Sequence, residues 1–132
     1  MDDAVNRTLL RVFVVEDSPL VVERLEALLG SIPGVTAVGH AAGADQAVRA
    51  ILATRPDAVV LDLTLPQGSG FDVLRDVHGH APEIDFYVLT NFAAEPYRRL
   101  AERLGAREFF DKTTEFERVR DALAGRAART VN

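Results

Sequence analysis

Residues 59–70 read VVLDLTLPQGSG. Val59, Val60 and Leu61 form a short apolar run that stops at one carboxylate, Asp62. Leu63 and Leu65 follow, then Pro66, Gly68 and Gly70. A β-branched run of this length, closed by proline and glycine, predicts a buried strand followed by a tight turn. An acid at the end of such a strand has two readings. It is a turn or helix-cap residue, or it is carried to the mouth of a site. The rest of the chain decides between them.

Upstream, Leu9–Val15 (LLRVFVV) is a second short apolar run and predicts the first strand. Ser18 and Pro19 supply an N-cap and a first-turn proline for a helix carrying Val22, Leu25 and Leu29, stopped by Gly30. Val35–His40 is a weaker strand. Ala47, Val48, Ile51 and Leu52 stripe a second helix that ends before Pro56. Ala58–Asp62 is then the third strand.

Downstream, Ser69 and Asp72 have the spacing of a capping pair for a helix with Phe71, Leu74 and Val77. Ile84–Leu89 predicts a fourth strand. Pro96 opens a fourth helix with Tyr97, Leu100 and Leu104, closed by Gly105. Arg107–Phe110 is a short fifth strand. Thr114 and Glu117 have the spacing of a capping box for a last helix with Phe116, Val119 and Leu123. Strand and helix alternate throughout, which predicts an α/β fold with a parallel sheet covered by helices on both faces. The near-continuous apolar strands agree, because both faces of such a sheet are buried.

The chain has 132 residues, 48% of them hydrophobic, with no cysteine. That is one domain of ordinary size, with enough apolar mass for a single core and no disulfide or thiol chemistry. No apolar run approaches the ~20 residues that span a bilayer, and the polar, acidic start MDDAVNRT is unlike a signal peptide; the expectation is a cytoplasmic protein with no membrane partner. The formal charge of −5 argues against direct nucleic-acid binding. Residues 98–129 nevertheless hold nine basic and six acidic side chains, a local +3. Fourteen of the fifteen basic residues are arginine and Lys112 is the one lysine, a slim point charge where a planar fork is the default.

In open parallel sheets, sites form beyond the carboxyl ends of the strands. The first strand ends in Glu16 and Asp17, the third in Asp62, the fourth in Thr90, and the fifth is followed by Lys112. Three acids at one rim repel one another, and a divalent oxygen-loving cation relieves that repulsion. Magnesium accepts few protein ligands, several waters and a phosphate. Acids, a cation, a lysine and a hydroxyl together suit phosphoryl transfer, in which a carboxylate can be the nucleophile.

From about Leu9 to Leu123, through VVEDSP, VVLDLTLPQGSG, VLTN and FFDK, the sequence resembles the receiver domains of two-component response regulators, in particular the single-domain, chemotaxis-regulator-like ones. The resemblance implies a flavodoxin-like, doubly wound five-stranded parallel sheet in the order 2-1-3-4-5 with five flanking helices. It implies one receiver domain over 1–132, with a core at about 9–124 and short tails at 1–8 and 125–132. Asp62 would accept a phosphoryl group from a histidine kinase or a histidine phosphotransfer protein. Asp17, Asp62 and the Thr64 backbone carbonyl would bind magnesium, with manganese as a substitute, and Glu16 would act through a metal-bound water. Lys112 and Thr90 would bind phosphoryl oxygens, and Phe109 matches the aromatic whose rotamer reports activation. Pro66 and Gly70 match the loop after the acceptor. On phosphorylation Thr90 would move inward, Phe109 would turn into the space it leaves, and the face of the fourth helix, fifth strand and last helix would be remodelled for a downstream protein target. The protein would be a monomer or a dimer formed on phosphorylation, and not an enzyme beyond its own phosphotransfer and dephosphorylation.

The sequence also departs from the family's pattern. Asn91 stands where a small residue is usual, and Phe92 follows; both are expected to narrow access to the site and slow loss of the phosphoryl group. Phe109 lacks the hydroxyl of the tyrosine often found there. The fourth helix has thin apolar cover and is expected to be mobile. Other functions on the same architecture fit less well. A flavodoxin-like cofactor binder needs a phosphate cradle where this chain has EDSP. A haloacid-dehalogenase-type phosphatase needs a second Asp where this chain has Thr64. The remaining alternative is a receiver-like docking module that acts mainly unphosphorylated.

Overall fold

The computed structural model describes residues 9–131. Segment 1–8 and Asn132, assigned above to the tails, lie outside them. Five strands alternate with five helices: β1 (Leu10–Val15), α1 (Pro19–Gly30), β2 (Val35–Ala41), α2 (Ala44–Thr54), β3 (Ala58–Leu61), α3 (Gly70–His80), β4 (Asp85–Thr90), α4 (Glu95–Arg103), β5 (Ala106–Asp111) and α5 (Arg118–Val131). All strand pairs are parallel and the order is β2-β1-β3-β4-β5, the predicted doubly wound arrangement. Strand periodicity explains the two layers. Leu10, Val12 and Val14 of β1 pack with Leu25 and Leu29 of α1 and Val119 and Leu123 of α5. Phe13 and Val15 point the other way, toward Ala47 and Ile51 of α2 and Val73, Leu74 and Val77 of α3.

The helix starts show local chemistry at work. The Ser18 hydroxyl accepts the Val21 N–H at 3.4 Å with Pro19 in the first turn, and the Ser69 hydroxyl accepts the Asp72 N–H at 3.3 Å. Each side chain satisfies an amide that the new helix cannot. α2 ends where Arg55 adopts a left-handed conformation, φ 52°, ahead of Pro56.

Two expectations need correction. The Thr114–Glu117 capping box does not start the last helix. The chain instead turns through 112–117, with the Glu115 N–H on the Asp111 carbonyl at 2.8 Å and i→i+3 bonds from Arg118, Val119 and Arg120, so α5 begins at Arg118. Residues 125–131 are not a tail; they continue α5. Ala127 is buried in the core, and the Arg126 guanidinium donates to Asp85 Oδ2 at 2.8 Å, which ties this last stretch to the start of β4. α4 has the thin apolar cover expected of it: Ala101 is buried, Leu100 and Leu104 are half-buried, and Tyr97 is exposed. Among the described residues no helix is long and apolar enough to cross a membrane.

Candidate functional site

β1 and β3 lie side by side, so their carboxyl ends deliver Glu16 and Asp62 to one place. The Asp62 N–H bonds the Val15 carbonyl at 3.0 Å, which extends that ladder one step past the strand. Glu16, Asp17 and Asp62 each offer a carboxylate oxygen, and these oxygens lie within 4.8 Å of one another. Glu16 and Asp62 are buried; Asp17 is exposed. From the far side, the Lys112 ammonium donates to Glu16 Oε1 and to Asp62 Oδ2, each at 2.8 Å. The remaining oxygens are used too: Glu16 Oε2 accepts the Ser18 N–H at 3.0 Å, and Asp62 Oδ1 accepts the Thr64 N–H at 3.2 Å.

Burial pulls the pKa of Lys112 down, but the hydrogen bonds from Asp62 and Glu16 and their negative charges outweigh it, and the net shift is upward. Lys112 is therefore a fixed cation at neutral pH. Three carboxylates and one ammonium leave the cluster formally at −2, the charge a divalent cation cancels. Hard oxygen donors, with one acid open to solvent, fit magnesium better than a softer metal.

Thr90 ends β4 fully buried, and its hydroxyl accepts the Phe92 N–H at 3.2 Å. A cleft of about 390 Å³ opens over the acids, with Thr64, Asn91, Phe92 and Lys112 around it. Asn91 is held sideways, its Oδ1 accepting the Thr113 hydroxyl at 3.3 Å. Phe92 is 48% exposed and meets Tyr97 edge-on at 5.7 Å, so it borders the cleft without sealing it.

Pro66 is exposed on the loop after Asp62, but the sharp turn itself is made elsewhere. Gly68 takes φ +77°, the left-handed region, while Gly70 is needed for a different reason. A Cβ on Gly70 would overlap the Asp62 carbonyl oxygen and sit 2.6 Å from Leu63 Cα. The Gly70 N–H bonds the Leu63 carbonyl at 2.9 Å, so the start of α3 rests directly on the backbone that carries Asp62.

Phe109 is buried, 6% exposed, and belongs to the core with Val88 and Ala101. Arg98 of α4 explains this. Its guanidinium lies over the ring at 4.6 Å and donates to the Phe109 carbonyl at 3.3 Å, so one side chain covers the ring and satisfies an edge-strand acceptor. The sequence reading missed Arg98, Ser18 as the amide partner of Glu16, and the Asp111–Glu115 turn beneath Lys112. For the last the signal was present: two acids four residues apart flanking the lysine.

Residues 12–124 match a family model described as response regulator receiver domain. Among curated relatives, the chain is 33% identical over 123 residues to the DNA-binding transcriptional activator DevR/DosR of Mycobacterium tuberculosis, covering 90% of this chain and 57% of that protein. Among solved structures, a two-component response regulator of the LuxR family from Aurantimonas sp. SI85-9A1 superposes with a TM-score of 0.84 at 28% identity, covering 91% of this chain and 86% of that one. The BeF3-activated N-terminal receiver domain of Klebsiella pneumoniae RstA superposes with a TM-score of 0.76 at 27% identity, covering 92% and 98%. The chain thus spans little more than half the length of the curated relative.

Proposed function

The chain belongs to the response regulator receiver domain family, and from that premise we propose that Asp62 is a phosphoacceptor whose modification switches a docking face. The observation that carries this reading is the double contact of Lys112 with Asp62 and Glu16 beside an exposed third acid. In the proposed step a carboxylate oxygen of Asp62 attacks the phosphorus of a phosphohistidine on a histidine kinase or phosphotransfer protein. A P–O bond forms, the P–N bond breaks, and its electron pair leaves on the imidazole nitrogen. Asp17, Asp62 and the Thr64 carbonyl would hold magnesium or manganese, with Glu16 reaching it through water; a bound cation supplies charge neutralisation for the phosphoryl oxygens. Lys112 would pass from the Asp62 carboxylate to a phosphoryl oxygen. The Thr90 hydroxyl would exchange its Phe92 amide partner for another.

With Phe109 packed in the core beneath Arg98, the switch reads as a change in how firmly that ring is held. Thr90 ends β4, and Phe109 lies in β5, which pairs with it. A shift of a few kcal/mol between two packings then reaches α4, β5 and α5, the face with the local +3. The downstream target that face would meet, a dimer formed on phosphorylation, a cytoplasmic location and a single domain belong to the same reading. A second reading, docking without phosphorylation, draws on the same buried Phe109.

Incubation with acetyl phosphate and magnesium, followed by intact-mass measurement, separates the two: the first requires gain of one phosphoryl group, the second does not. Two further outcomes are expected. Magnesium raises Tm, because it relieves carboxylate repulsion that exists only in the folded chain; a Tm indifferent to magnesium counts against the proposed cation site. In Asn91→Ala the phosphorylated form decays faster, since the side chain held by Thr113 no longer lines the cleft. An unchanged half-life shows that Asn91 does not limit access.

A further inference from the structure

Lys112 belongs to no strand or helix, yet its ammonium is placed on two carboxylates at 2.8 Å. A four-carbon side chain on a free turn would sample many positions, so something must fix the turn. Its inner side is joined to β4, where the Lys112 N–H bonds the Thr90 carbonyl at 2.9 Å. Its outer side is the sheet edge, where no further strand among the described residues pairs with it. There Glu115 Oε1 accepts the Asp111 N–H at 2.9 Å, while the Glu115 N–H donates to the Asp111 carbonyl at 2.8 Å. Asp111 Oδ1 in turn accepts the Thr113 N–H at 2.8 Å. The amides on either side of Lys112 are thus each bonded to a carboxylate, and the two acids lock the backbone into one shape. Arg118 holds the second oxygen of Glu115 at 3.2 Å.

We infer that Glu115, together with Asp111, is a positioning residue for Lys112: the reciprocal brace across 111–115 aims the ammonium at Asp62. The inference rests on the reading of Lys112 as the cation of the phosphoryl site, but the brace can be tested without phosphorylation. Lys112 is the only lysine in the chain, so its reaction with an amine-acylating reagent can be followed at one site by peptide mass. In the full chain, Glu115→Ala is expected to be acylated at Lys112 several-fold faster than wild type, because the ammonium leaves its carboxylates more often. Glu115→Gln, which keeps an oxygen acceptor for the Asp111 N–H, should react at the wild-type rate. Phosphoryl uptake from acetyl phosphate with magnesium should slow about tenfold or more in Glu115→Ala, given how steeply such steps depend on placement. It should recover in Glu115→Gln. In a Lys112→Ala background the Glu115→Ala change should cost nothing further, as a double-mutant cycle reads out.

Unchanged acylation in Glu115→Ala overturns the inference. So does equal slowing of uptake with and without Lys112, which would place the effect in the fold at large. If Glu115→Ala does not fold, Asp111→Ala removes the Thr113 half of the brace and must show faster acylation in its place. A wild-type chain that takes up no phosphoryl group defeats the proposed phosphotransfer and leaves the acylation comparison to judge the brace.

Discussion

Asp62→Asn is expected to abolish phosphoryl uptake while the domain still folds. The carboxamide has almost the shape of the carboxylate, and its oxygen can still accept the Thr64 N–H. Lys112 keeps Glu16 as a partner at 2.8 Å. What disappears is the anionic oxygen proposed to attack phosphorus. Glu16 keeps one oxygen on Lys112 and the other on the Ser18 N–H, so the change is confined to position 62. The substitution also takes one of three mutually repelling acids from the cluster. The gain in Tm on adding magnesium should therefore shrink along with uptake. Intact mass after acetyl phosphate treatment and a pair of melting curves check both. Uptake that persists in Asp62→Asn places the acceptor elsewhere and ends the assignment.

The largest loss of stability is expected from the smallest addition, Gly70→Ala. The new methyl group meets backbone, the Asp62 carbonyl and Leu63 Cα, and neither can rotate aside as a side chain could. α3 must then move off the end of β3, although Val73, Leu74 and Val77 anchor it in the core. Overpacking of this kind costs about 3 kcal/mol, which for a domain of this size lowers Tm by roughly 10 °C. Gly79→Ala in the same helix is the control. Its Cβ meets nothing within 4 Å, so the better helix former should stabilise by about 0.5–1 kcal/mol. Gly70→Ala should also impair phosphoryl uptake in whatever fraction remains folded, because the displaced backbone is the one that carries Asp62. Similar Tm values for the two variants would show that α3 can slide freely.

Much of this molecule is written locally. Ser18-Pro19 and Ser69 with Asp72 mark helix starts because a hydroxyl beside an unpaired amide acts within one turn of chain. The apolar runs mark strands because both faces of the sheet are covered. The gathering of Glu16, Asp62 and Lys112 follows once those runs are taken as parallel, since strand ends then share one rim. What stayed hidden depends on partners distant in sequence. Residues from 125 on read as a tail, but Ala127 finds the core and Arg126 finds Asp85, 41 residues earlier, so α5 runs on. Phe109 reads as a ring awaiting a signal, but Arg98 already covers it. Thr114 and Glu117 have a capping spacing, but Glu115 bonds to Asp111 first and delays the helix.

The shallow seating of α4 has a consequence for how such a molecule diversifies. One buried alanine and one arginine laid across a ring hold most of that helix to its sheet, so its outward residues can be rewritten with little penalty to the rest. Glu16 and Asp62, by contrast, are buried at the ends of deeply packed strands. Under the proposed function, chemistry and address would thereby be kept on separate parts of one small body, and new listeners could be acquired while the trigger is inherited intact.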